Sequence, residues 1–244
     1  MPWDFWLIFI VFAVILPWRG HLRLKKMLAI PQMGSRERLA LYFSTIAFQW
    51  TAAAVVAWRA WARGMTAEEL GLRIHGRGGI FLAAVVGGAT LGALQWLNLR
   101  RMGRSSGKAR RFMQTLAEKI LPQTRAELIP YLALAVTAGL CEEFLYRGFA
   151  MGVLTKVGLP IWGVVLLSSI LFAMAHLYQG RGGLVSTLVI GAVFAVARIA
   201  YDGIVPVIVW HAAIDAVAGV AGPRYLLRAV LPAKGEEIHK QVGL

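Results

Sequence analysis

Cysteine is nearly absent from this chain: Cys141 is the only one. A single thiol excludes an intrachain disulfide and a multi-thiolate metal centre. Acidic residues are scarce too, twelve against twenty-six lysines and arginines, which leaves a formal net charge of +14. Charged residues together make up 16% and hydrophobic ones 58%, whereas soluble domains hold about 25% and about 45–50% respectively. The His-Glu-x-x-His zinc signature does not occur: His176 is followed by Leu177-Tyr178-Gln179-Gly180 and His211 by Ala212-Ala213-Ile214-Asp215. The first residues, with Trp3, Asp4 and Trp6, carry no basic leader region and no Ala-x-Ala cleavage site. They read as a retained anchor.

What is present is apolar sequence in long runs. Stretches of about 20 residues recur, the length that crosses about 30 Å of hydrocarbon. They predict an all-α, polytopic transmembrane helix bundle of about seven spans, near residues 3–18, 39–62, 79–99, 128–152, 160–178, 183–200 and 204–221. Between the third and fourth, Phe112, Met113, Leu116 and Ile120 recur at helical spacing and predict one interfacial amphipathic helix. Residues 1–122 then form an N-terminal three-span region with that helix, 123–222 a second helix bundle, and 223–244 a basic tail. Gly88-x-x-x-Gly92 and Gly148-x-x-x-Gly152 are small-residue faces that let helices approach closely.

The basic residues cluster beside spans. Six lie between Arg19 and Arg38, with Glu37 the one acid among them, and six between Arg100 and Arg111 with no acid. Such clusters fit the positive-inside rule and anionic headgroups. No interleaved aromatic or groove-reading motif accompanies them, so nucleic acid is not expected as a partner. Placing both clusters inside puts nineteen Lys and Arg inside and six outside, with Arg147 as the remaining one of twenty-six. The N-terminus is then expected out and the C-terminus in, as in a multi-pass protein of a bacterial inner membrane.

Against this background Glu142, Glu143 and Arg147 stand inside an apolar stretch from Leu128 to Leu154. Charge in the bilayer costs a few kcal/mol or more, so intramembrane ionisable groups mark functional sites. Glu143 and Arg147 are four apart on one helical face and can pair. Glu142 is rotated by about 100° and is free to act as a general base. Phe172 lies one turn before His176 and can wall its imidazole, and that histidine can share a water with Glu142. His211 and Asp215, again four apart, could hold a developing oxyanion if Asp215 is protonated. Alternatively Asp215 orients His211, or the two pack the bundle, or they belong to a proton path. Cys141 is a poor nucleophile here, because apolar surroundings and a neighbouring carboxylate favour the neutral thiol. His176, His211 and a carboxylate could in principle ligate zinc, but a water-activating acid–histidine site without metal or cofactor is the simplest chemistry left.

In order, Glu142-Glu143-x-x-x-Arg147, Phe172-x-x-x-His176 and His211-x-x-x-Asp215 resemble the CAAX prenyl protease and bacteriocin-processing (Abi, CPBP) family of glutamic intramembrane proteases. The similarity covers roughly residues 125–221. The resemblance implies a membrane-embedded endopeptidase acting on a peptide or protein substrate at the bilayer. It implies that Glu142 and His176 activate water, that His211 with residue 215 stabilises the oxyanion, and that Glu143 and Arg147 support the site. The family often has asparagine where this chain has Asp215, and an ionised carboxylate there cannot donate a hydrogen bond. A non-catalytic immunity or scaffold protein is the alternative, with a proton-coupled transporter behind it.

Overall fold

A computed structural model describes residues 1–74 and 77–227. Among them every regular element is helical. We label the helices α1 Trp3–Ala29, α2 Ser35–Ala62, α3 Gly78–Arg104, α4 Lys108–Ile120, α5 Arg125–Lys156, α6 Ile161–Ala175, α7 Gly180–Ala200 and α8 Val205–Leu227. All except α4 and α6 are long and apolar enough to cross a membrane. The protein is thus an all-α polytopic bundle, with six full-length spans and one short apolar helix.

Three of the boundaries that differ from the sequence-based expectation shape the ends of the bundle. The first helix continues past residue 18 to Ala29, because its basic second half can leave the hydrocarbon without ending the backbone ladder. Gly20 on that extension approaches the Ala175 carbonyl and Tyr178. The fifth apolar run was expected to extend to residue 178, but α6 stops at Ala175, and a 3₁₀ turn, Leu177–Gln179, leads into α7. Its 15 residues span only about 22 Å at 1.5 Å per residue. The last helix runs on to Leu227 through a π segment, Pro223–Leu227, while residues 228–244 of the expected tail lie outside the described residues.

The two ends of the bundle are tied differently. At one end Thr124 caps α5: its hydroxyl accepts from Glu127 N–H (3.3 Å), and Glu127 accepts from Gln123 N–H (2.8 Å). This reciprocal arrangement satisfies two otherwise orphaned donors. Glu127 also receives both Nε and Nη2 of the buried Arg38, at 2.8 and 3.0 Å. Lys119 at the end of α4 donates to the carbonyls of Ile30 and Pro31, and Phe112 touches Gly180. The amphipathic helix is therefore packed on the bundle, with Leu116 and Ala117 buried. At the opposite end Ile204 N–H donates to the Gly71 carbonyl (3.0 Å) and Lys156 to Glu69 (2.8 Å). That ammonium holds the Glu69 carboxyl below its usual range.

Close backbone approaches set the helix spacing. Gly88 and Gly92 meet Val209 and Val217 of α8. Gly148 and Gly152, expected to face a helix, face the Leu70 and Glu69 carbonyls of a loop instead. Between α5 and α8, a Cβ on Gly139 would lie 2.8 Å from the Ile208 carbonyl oxygen and 3.3 Å from the Ala212 methyl. Gly139→Ala should therefore push these helices apart and cost about 1–3 kcal/mol, as overpacking does. A lowered melting temperature in detergent checks this; an unchanged one would show that the α5–α8 contact is not tight.

Candidate active site

Glu142 and Glu143 end the regular α-helical part of α5, and a π segment, Phe144–Ala150, follows directly. Such segments recur at functional sites because they alter which side chains share a face. The two neighbouring carboxylates go to different partners.

Glu142 faces α2 and the end of α6. Its Oε1 accepts from Gln49 Nε2 at 2.6 Å. Its Oε2 lies 3.6 Å from His176 Nε2 and has no hydrogen-bond partner. His176 is the residue just beyond α6, and its Nδ1–H donates to the Phe172 carbonyl at 2.9 Å. A neutral ring held this way presents a lone pair at Nε2. The shortness of α6 makes the meeting possible. Glu142 stands fourteen residues before Lys156, and His176 fifteen after Ile161. At 1.5 Å per residue both lie about 21–22 Å from the same end of the bundle.

Glu143 points into the core, where neither it nor Arg147 has any exposed surface. Its Oε1 accepts from Arg147 Nη1 (3.0 Å) and from His211 Nδ1–H (2.7 Å). Arg147 Nη2 donates to the Gly191 carbonyl at 3.1 Å, and the guanidinium lies 4.2 Å from the Phe172 ring centroid. His211 Nε2 lies 3.6 Å from Asp215 Oδ2, beyond ordinary hydrogen-bond distance. Glu143, rather than Asp215, makes the hydrogen bond to His211. Asp215 is the most open member of the group, with its side chain 37% exposed.

The Phe172 ring joins the halves, with centroids 4.6 Å from the His176 ring and 5.9 Å from that of His211. Glu142, Glu143, Arg147, Phe172, His176, His211 and Asp215 thus form one connected cluster. Gln49 is the member that sequence reasoning passed over. Its signal was present: it is the only side-chain amide, with no Asp, Glu, His, Lys or other Arg, between Arg38 and Arg59. Another motif carries nothing. Gly103-Arg104-Ser105-Ser106-Gly107 matches Gly-x-Ser-x-Gly, but it sits at the exposed end of α3 rather than on a strand-to-helix turn. Among the described residues no set of three or more His, Cys, Asp or Glu side chains is grouped to hold a metal ion.

Removing Arg147 should unsettle the whole cluster, since it strands a buried carboxylate. Arg147→Met is expected to cost about 3–5 kcal/mol, the usual loss when one member of a buried pair is deleted. Thermal unfolding of the purified variant measures it. A melting temperature equal to that of the parent would show that His211 alone satisfies Glu143.

Residues 124–217 match the family described as Type II CAAX prenyl endopeptidase Rce1-like. No curated protein and no solved structure gives a match. The matched segment begins at the Thr124 cap and ends two residues after Asp215, so it holds every member of the cluster except Gln49. Over this segment the chain is similar to the CAAX prenyl endopeptidase family.

Proposed function

We propose that the protein is a membrane-embedded glutamic endopeptidase that cleaves a peptide bond with water activated by Glu142 and His176. One observation carries this reading. Glu142 Oε2 and His176 Nε2, both acceptors, stand 3.6 Å apart while the other oxygen and nitrogen are engaged by Gln49 and the Phe172 carbonyl. A water within hydrogen-bond reach of both donates one proton to each, which leaves its lone pair free to attack. Attack on the scissile carbonyl transfers the water proton to Glu142 and forms the tetrahedral oxyanion. Glu143 holds His211 by Nδ1–H, so an imidazolium at this position donates Nε2–H to the oxyanion. A protonated Asp215 donates alongside it. Collapse breaks the C–N bond, and the proton on Glu142 passes to the leaving amine. Membrane side chains and lipid surround the site, and the substrate is a peptide or protein segment that reaches it from the bilayer or from the basic end of the bundle. We assign that end to the cytoplasm of a bacterial cell, which places the N-terminus outside.

Glu142→Gln keeps the shape and removes the base. Peptide cleavage should fall by roughly 10²–10⁴-fold, with thermal stability unchanged or raised because a poorly solvated charge is gone. The parent should retain its activity after chelation and dialysis. Cleavage that survives Glu142→Gln would show that Glu142 is not the base, absence of cleavage by the parent would favour a non-catalytic immunity or scaffold role, and activity lost to chelator and restored by zinc would promote the histidines to ligands.

Asp215→Asn distinguishes the ways residue 215 can act. An amide donates to an oxyanion without needing a proton, so kcat should hold or rise if residue 215 serves the oxyanion, and its dependence on pH should flatten. A fall in kcat with the profile retained would mean that the carboxylate is needed as an acceptor facing His211.

A further inference from the structure

Away from this cluster, the basic end of the bundle holds a cavity of about 540 Å³ between the end of α3, the start of α4 and the end of α8. Arg100 and Arg104 reach it from α3, Arg110 from α4 and Arg224 from α8, with Trp96 and Tyr225 beside them. None of the described residues that line it is acidic. The guanidiniums of Arg100 and Arg224 lie 5.7 and 6.0 Å from the Trp96 and Tyr225 ring centroids. Arg110 donates Nη1–H to the Ser105 carbonyl at 2.6 Å, yet its Nε is buried with no partner. Four cations around one cavity repel each other, and a buried unpaired donor is costly. Both costs are relieved by an anion with several acceptor oxygens, for which the guanidinium fork is suited.

The surroundings identify the class of anion. Leu97 and Leu94, one and two turns below Arg100 on α3, are exposed. An apolar strip thus leads from the cavity toward the hydrocarbon, and Trp96 and Tyr225 mark the level at which aromatic side chains meet headgroups. We propose that this cavity binds the phosphate of an anionic phospholipid, whose acyl chains run along α3. Such a lipid would bridge three helices, one of which carries His211 and Asp215.

The test uses the full chain in detergent, with lipid retention followed by native mass spectrometry and stability by thermal unfolding. Phosphatidylglycerol should remain bound and raise the melting temperature, whereas phosphatidylcholine should do neither. The pair Arg104→Gln, Arg224→Gln should weaken retention by roughly 25-fold, at about fivefold for each surface-proximal arginine. Lys25→Gln with Lys26→Gln removes equal charge from an exposed face of α1 and should leave retention unchanged. The pair Arg104→Lys, Arg224→Lys preserves charge and fold but loses the planar fork, and it should weaken retention by a smaller factor. Equal loss in the Lys25/Lys26 control would overturn the site in favour of bulk electrostatics, as would parental retention in both arginine pairs. Stabilisation by inorganic phosphate or glycerol phosphate equal to that by the lipid would overturn the lipid as the source of the anion.

Discussion

The Glu143 carboxylate is the constraint around which the rest of the site is organised. Fully buried, it would be prohibitively costly alone, since a desolvated charge needs both a counter-charge and hydrogen bonds. It gains them on two sides: Arg147 from its own helix and His211 from α8. Arg147 must in turn be satisfied, and it uses the Gly191 carbonyl on α7 together with the faces of Phe172 and Phe194. One carboxylate thereby links α5 to α6, α7 and α8. The close approach at Gly191, where an added Cβ would sit 3.4 Å from Arg147 Nη2 and 3.3 Å from Ser169 Cβ, is a consequence of that linkage.

Because Glu143 takes the buried partners, Glu142 is left to a different environment. The turn of about 100° between successive helical residues aims it away from Arg147 and toward Gln49 and His176. Gln49 is uncharged, so it can fix the carboxylate without neutralising it. Adjacent acids of the same type are thereby divided by geometry alone, one held among the buried partners Arg147 and His211 and the other facing Gln49 and His176. The short α6 completes the division. A helix that crossed the full bilayer would carry position 176 onward as regular backbone, whereas its early end places the imidazole beside Glu142 and the 3₁₀ turn around it. Irregular backbone at depth is tolerated where protein covers it, and here α1 does so through Gly20 against Ala175 and Tyr178.

The sequence disclosed the helices and the chemistry-bearing residues more readily than their partners. Apolar runs and the Glu-Glu-x-x-x-Arg, Phe-x-x-x-His and His-x-x-x-Asp spacings are local, and a helix converts local spacing into a shared face. The Glu143–Arg147 pair and the Phe172–His176 contact are of that kind. The hydrogen bond from His211 to Glu143, 68 positions apart, and that from Gln49 to Glu142, 93 apart, depend on how helices pack, which spacing does not encode. The end of α6 was hidden because Ala175, His176 and Leu177 neither break a helix nor change the hydropathy pattern. Likewise Gly148 and Gly152 signalled a close approach but not that a loop would make it.

The same separation of local from global applies to the positive charge. Read along the chain, the arginines between residues 100 and 111 are a topological signal, a count that orients helices. In three dimensions Arg100, Arg104 and Arg110 meet Arg224 from more than a hundred residues away, and a count becomes a concave surface with a geometry. Repulsion among these cations acts against the packing of α8 on α3 at this end, while Trp210 donating to the Ala83 carbonyl, with Gly88 and Gly92, holds those helices together nearer the other. The α3–α8 pair is therefore closely packed at both ends, with Gly103 against Tyr225 at the cationic one. An anion bound in the cavity would offset that repulsion, and its effect would reach the helix that carries His211 and Asp215.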